Sequence, residues 1–262
     1  MARSSKRALR SASEVPQPVL AVASYGRAGR VSTVDVFPEG VIVVPQKQAE
    51  AYRALQTLPP GWSIQEIPDE EDGNLCRKRN AILRLFRGQD VVIVDDDYEY
   101  VGRWEEGEDR RLDAEGIRHL LWQGAVLARD LGTPFWGINV QVDRRFYREY
   151  TPVSVTNVVL GPFQAFTADR PDDLLYDETF WLKEDYDLSL RVLHKYHRIL
   201  RLNAYHYRVD HFNEAGGQVG KRNMEEEVRQ LHLLQRRWGS DVVKLELHRS
   251  VNPIIKVPLK GV

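Results

Sequence analysis

The sequence holds a single cysteine, Cys76, among its 262 residues, so it can close no internal disulfide and offers no cysteine-based zinc site. A reducing, cytoplasmic setting is expected from that scarcity. Long hydrophobic runs are missing as well. No stretch of about 18 apolar residues occurs, and no apolar segment of roughly 7 to 15 residues follows the basic start, so neither a membrane span nor a secretory leader is expected. A surplus of charge is also lacking: 37 Lys and Arg face 38 Asp and Glu, a formal charge of −1. Such a balance excludes bulk coating of nucleic acid and leaves local basic clusters to meet any phosphate. Those clusters are Arg77, Lys78 and Arg79; Arg144 and Arg145 with Arg148; and Lys221 with Arg222. Each reads equally as a solvated face. No internal repeat is found.

What is present is a 42% hydrophobic content, enough for one sizeable core. Residues 1–17 have no periodicity and read as a flexible arm, leaving 18–262 as the folded domain. Short β-branched runs then alternate with helix-length segments. Strands are expected at 19–24, 41–45, 63–67 and 91–94, with helices at 49–58 and 74–86. A helix at 113–131 closes on Gly132; strands at 137–142 and 155–167, a helix over Glu184–Tyr196 and a strand at 199–202 follow. The amphipathic segment Met224–Trp238 is expected across the base of the sheet. This alternation predicts an α/β fold with a mostly parallel central sheet flanked by helices.

The run Val91-Val92-Ile93-Val94 is continuously apolar and stops at Asp95-Asp96-Asp97. Ligands bind at the carboxyl ends of strands in open α/β sheets. Three adjacent carboxylates there repel one another unless a cation or basic partner offsets them, and Mg²⁺ or Mn²⁺ suits their oxygens. Aspartates capping a polar turn are the alternative. The first strand ends in Ser24-Tyr25-Gly26-Arg27-Ala28-Gly29-Arg30, where glycines admit close backbone approach and arginines can meet phosphate. The spacing is not that of the dinucleotide fingerprint. Tyr25 suits either stacking on a base or packing beside the sheet. Glu184 and Asp185 open a helix whose dipole favours ionised carboxylates. The stretch from Tyr205 to Asn213 reads as a mobile loop.

The order of these features resembles the GT-A nucleotide-sugar glycosyltransferases, over about residues 19–211. The resemblance implies a GT-A domain with a nucleotide-binding half at about 18–100, an acceptor-binding half at about 101–215 and a C-terminal helix and tail at 216–262. It implies a bound Mn²⁺ or Mg²⁺ on Asp95 and Asp97, with His211 as a third ligand. A nucleotide-sugar donor, a UDP-sugar first, would meet Ser24, Tyr25, Gly26, Arg27, Arg30, Arg79, Asn80, Asp95, Asp96 and Lys221. Asp185 would be the catalytic base, with Glu184 as alternative or orienting neighbour. Within that fold the chain resembles the TET-associated glycosyltransferases of bacteriophages and the base J glucosyltransferases. That likeness implies a hydroxymethylated pyrimidine in DNA, such as 5-hydroxymethylcytosine, as acceptor, met by Gln164, Phe163, Trp181, Arg144 and Arg145, in the cytoplasm of a bacterial host. A nucleotidyltransferase acting on NTPs and a non-catalytic binding module are the rival readings.

Overall fold

The first four apolar runs become four adjacent parallel strands, as β-branched segments covered on both faces do. The computed structural model describes residues 16–140, 143, 147–210, 223–247 and 252–257. In it β1 (Val19–Ala23), β2 (Gly40–Pro45), β3 (Trp62–Ile67) and β4 (Val91–Asp95) lie in the order β3-β2-β1-β4. Between them run α1 (Thr33–Val36), α2 (Gln46–Leu55) and α3 (Leu75–Leu85). Asn74 starts α3 by accepting the Arg77 amide on its side chain. The pairing of β1 with β4 runs from Val19 opposite Val91 to Ala23 opposite Asp95, which brings Ser24 beside the acidic triplet.

The second half adds β5 (Tyr98–Glu105), β6 (Glu108–Arg111), α4 (Ala114–Leu131), β7 (Phe135–Asn139), β8 (Val153–Ser154), β9 (Phe163–Phe166), α5 (Glu184–Tyr196) and β10 (Leu200–Val209). Beyond them come α6 (Met224–Trp238), β11 (Val243–Lys244) and β12 (Ile254–Ile255). The main sheet reads β3-β2-β1-β4-β9-β7-β10-β5-β6, with β8 on β10. Strands β1, β2, β3, β4, β6, β7 and β10 share one direction, while β5, β8 and β9 oppose it. The sheet is therefore mostly parallel and flanked by helices, with β9 reversed between β4 and β7.

Several expected elements are corrected. The stretch 155–167 is not one strand: Gly161, at φ 74°, and Pro162 break it, and only Phe163–Phe166 pairs in the sheet. Tyr205, His206 and Tyr207 belong to β10 and not to a loop, since β10 gains a second partner in β5. The β5–β6 hairpin turns at Glu106 and Gly107, both at positive φ, and escapes an apolar-run search because its strands are polar. Helix α6 packs beside β11 and the Glu178–Phe180 turn, and its Leu234 shares an apolar cluster with Phe180, with Tyr186 and Leu190 of α5 and with Val243 of β11. Gly124 in α4 admits the Trp136 ring, which a Cβ there would meet at 2.1 Å.

Candidate active site

Two carboxylate groups distant in sequence face each other at the carboxyl edge of the sheet. The first is the end of β4. Asp96 is buried and accepts from the Ser24 hydroxyl and, at 2.8 Å, from Arg27 Nη1, which also reaches Asp97 Oδ2 at 3.1 Å. Tyr52 fixes this corner: its hydroxyl lies 2.7 Å from Ser24 Oγ and accepts the Arg27 amide at 3.0 Å. Burial pushes the Asp96 carboxyl up to about 6, and the charges of Asp95 and Asp97 add to it against Arg27 and Ser24.

The second group is the start of α5. Asp185 Oδ2 accepts the Gly161 amide at 2.9 Å and Oδ1 accepts the Tyr186 amide at 2.8 Å. Glu184 is held by Arg79, whose Nη1 reaches Glu184 Oε1 at 2.9 Å and whose Nη2 reaches Asp95 Oδ1 at 3.3 Å. This one buried guanidinium, 16 residues from Asp95 and 105 from Glu184, joins the two groups. Burial raises both Glu184 and Asp185 above ordinary carboxylate values, and Arg79 pulls each back in part. The expectation that the helix dipole would favour ionisation of Asp185 is thereby reversed: loss of water outweighs the amide ends.

No family model and no curated protein matches the chain. Among solved structures it is similar to S. aureus TarS residues 1–349, at TM-score 0.44 and 15% identity over 89% of this chain and 77% of that one. The same protein in complex with UDP-GlcNAc gives TM-score 0.48 and 16% identity over 84% and 66%. A mycobacterial protein gives TM-score 0.45 and 14% identity over 87% and 78%. Likeness of this degree assigns neither activity nor ligand to the chain.

The remaining expected donor residues take defined places. Tyr25 is 42% exposed, with Lys47 Nζ and Lys78 Nζ 5.8 and 5.3 Å from its ring, so it does not pack into the core. Gly26, at φ 70°, donates its amide to Gln48 Oε1, and Arg30 donates to the Gly26 carbonyl at 3.0 Å. Arg79 is buried as a bridge and is not presented to phosphate. Asn80 is likewise a structural residue: its side chain pairs with both backbone polar groups of Tyr176. Lys78, read only as part of a basic cluster, is buried and donates to the Ser24 carbonyl and to Asp72. Burial lowers its pKa from the ordinary lysine value, against Asp72.

On the acceptor side three expected residues take defined places. Gln164 is fully buried, donating to the Gly161 carbonyl and accepting from Tyr176, so its amide is not free to read a base. Phe163 is core, 5.7 Å from the Trp136 ring. Trp181 is partly buried and donates its indole to Glu226, tying α6 down. Arg144, Arg145, His211 and Lys221 lie outside the described residues. Three residues at the centre carried no sequence signal of their role. Gly161 holds Asp185, and a Cβ on it would lie 2.2 Å from the Tyr207 hydroxyl. The hydroxyls of Tyr207 and Tyr98 are buried, with no hydrogen-bond partner among the described residues, and feel the Asp95 charge; their rings lie 5.4 Å apart.

For a divalent cation, the donor chemistry fits in part. Asp95 and Asp97 offer hard oxygens one residue apart at the strand end, with Asp95 the more exposed side chain at 24%. Among the described residues no cluster of three or more His, Cys, Asp or Glu side chains is poised to hold a metal. Arg27 and Arg79 pair with these carboxylates.

Proposed function

We propose that the chain transfers a sugar from a nucleoside diphosphate sugar, a UDP-sugar first, to a hydroxyl acceptor with inversion at the anomeric carbon. The observation that carries this reading is the Arg79 bridge: it brings the carboxylates suited to a diphosphate-bound cation and the carboxylates suited to proton abstraction into one site. A Mn²⁺ or Mg²⁺ on Asp95 and Asp97 would neutralise charge on the departing diphosphate. Asp185 acts on the acceptor. As the acceptor oxygen bonds to the anomeric carbon, its proton passes to Asp185 and the bond to the diphosphate oxygen breaks, the electron pair leaving with that oxygen. The Gly161 and Tyr186 amides hold the Asp185 carboxylate at both oxygens, so it meets the acceptor in one orientation. Tyr25 presents an aromatic face beside Lys47, a surface that suits a nucleobase and an adjoining phosphate.

We place the acceptor among hydroxymethylated pyrimidines of DNA, with 5-hydroxymethylcytosine first. The motif order from Ser24 to Asp187 supports this reading. The test is intact-mass analysis of 5-hydroxymethylcytosine DNA after incubation with a panel of nucleotide sugars and Mn²⁺, with UDP-GlcNAc and UDP-glucose included. A hexose-sized gain is expected. Consumption of NTPs in parallel reactions, with no sugar nucleotide consumed, overturns sugar transfer; transfer to another hydroxyl acceptor overturns the DNA assignment alone.

A further inference from the structure

At the end of β10 opposite Val209 lies a cation with no carboxylate partner among the described residues. Arg201 is half-buried, and its bonds go to neutral oxygens: Nε to Asn203 Oδ1 at 2.8 Å and Nη1 to the Val158 carbonyl at 3.2 Å. Among the described residues no carboxylate pairs with it. Other buried or half-buried arginines differ: Arg27, Arg79, Arg129 and Arg191 each hold a carboxylate, and Arg170, which bonds carbonyl oxygens, has the charges of Asp90 and Asp172 near it. Burying a guanidinium without an anion is costly, because lost hydration is not replaced by an opposing charge. Desolvation alone lowers Arg201 from the ordinary arginine value, with no acidic neighbour raising it.

Beside this guanidinium is a cavity of about 270 Å³ lined by Thr156, Asn157, Val158, Arg201, Ile255 and Val257. The backbone amides of Thr156 and Asn157 are spent on Ser154 Oγ, at 3.3 and 3.1 Å. Among the described residues the hydroxyl of Thr156 and the carboxamide of Asn157 make no bond. A charge-bearing fork, a hydroxyl and an amide thus line one recess, a donor set that suits an anion with several acceptor oxygens.

We propose that this recess binds a phosphoryl oxyanion, with Arg201 as the charge partner and Thr156 and Asn157 as hydrogen-bond donors. Arg201 pairs with Gly137 and Val209 lies at the far end of β10 beside Tyr98; the bulge between Leu202 and His206 leaves roughly five strand steps between them, about 17 Å. The recess is therefore distinct from the donor site, and its ligand need not be the diphosphate of a donor.

The test titrates the full chain with inorganic phosphate at low ionic strength, by calorimetry and by thermal shift. Saturable binding with a rise in Tm is expected. Arg201→Gln should weaken it at least tenfold. Asn157→Asp, which places a carboxylate in the recess, should abolish it and raise Tm in phosphate-free buffer; this variant decides the matter if Arg201→Gln does not fold. Dimethyl phosphate in a parallel arm separates the sources: tighter binding of the diester points to a polymer backbone, tighter binding of inorganic phosphate to a free anion or monoester. Native affinity retained in both variants places the phosphate elsewhere, as at the arginines of the acidic centre, and overturns the proposal, as does the absence of saturable binding to the native chain.

Discussion

Arg27 and Arg79 serve as internal counter-ions to the carboxylates at the sheet edge, and that role sets what single substitutions should do. Asp97→Ala should abolish cation-dependent donor binding and activity together while leaving Tm nearly unchanged, because Arg27 keeps Asp96 as partner. Donor titration with and without Mn²⁺, beside a melting curve, checks this; metal-dependent binding that survives sinks the metal assignment. Asp185→Asn should leave donor affinity within a few-fold and lower kcat by roughly 10² or more, since a base acts on the acceptor. If Glu184→Gln shows the larger loss, the roles are exchanged. The pH dependence follows from burial. Asp185 works ionised, so kcat should rise with pH along a limb lying above the ordinary carboxylate range. Stability should run the other way. The folded state retains protons on Glu184 and Asp185 that the unfolded chain has released, so stability is fully present below the ordinary carboxylate values and falls as pH rises through the raised ones. Glu184→Gln should flatten that fall, and Tm measured against pH for both chains tests it. At this scale the aspartates were legible because an acidic run ending an apolar run is a local signal. The Arg79 bridge and the Gly161 amide were not, because each depends on a contact 105 or 24 residues away.

Helix α6 is docked by buried ion pairs as well as by its apolar stripe. Lys183 and Glu227 pair at 2.6 Å with side chains 2% and 5% exposed. Arg237 spans Asp177 at 2.8 Å and Asp187 at 3.0 Å, and the Trp238 indole also donates to Asp187 at 3.0 Å. Asp187, which reads in sequence as a complement to the helix dipole, is a fully buried anchor for a neighbouring helix. Asp187→Ala should leave Arg191, Arg237 and Trp238 without their shared acceptor and cost about 3 to 5 kcal/mol, the range for breaking a buried pair. Denaturant unfolding measures it, and a loss under about 1 kcal/mol contradicts the anchoring role. Element identity was legible wherever apolar residues repeat at the helical or strand period, as in α4 and β4. It failed at β6, whose four residues are all exposed and charged, and at β10, whose outer half mixes tyrosine, histidine and arginine. The docking of α6 was illegible because an amphipathic pattern says which face is buried and not against what.

Across the whole molecule, a formal charge of −1 leaves any DNA contact to local groups. With a DNA acceptor, log affinity should fall with log salt by about 0.9 per phosphate neutralised on duplex. An Arg144→Ala, Arg145→Ala double variant should shallow that slope while donor affinity stays put; binding indifferent to salt argues for another acceptor. The α/β layering was legible in the alternation of strand and helix signals, but the reversed β9 was not, because direction within a sheet leaves no mark on a strand's own composition. The Arg79 bridge has a further consequence, in time. Strands β1 to β4 are contiguous in the chain and complete at Asp95, whereas Glu184 arrives 89 residues after Asp95. At about 5 to 20 residues per second of synthesis, that interval lasts on the order of 5 to 20 seconds. A four-strand sheet formed in that interval would carry the Arg79 guanidinium with Asp95 but without Glu184, an unfinished electrostatic unit that the arrival of α5 closes.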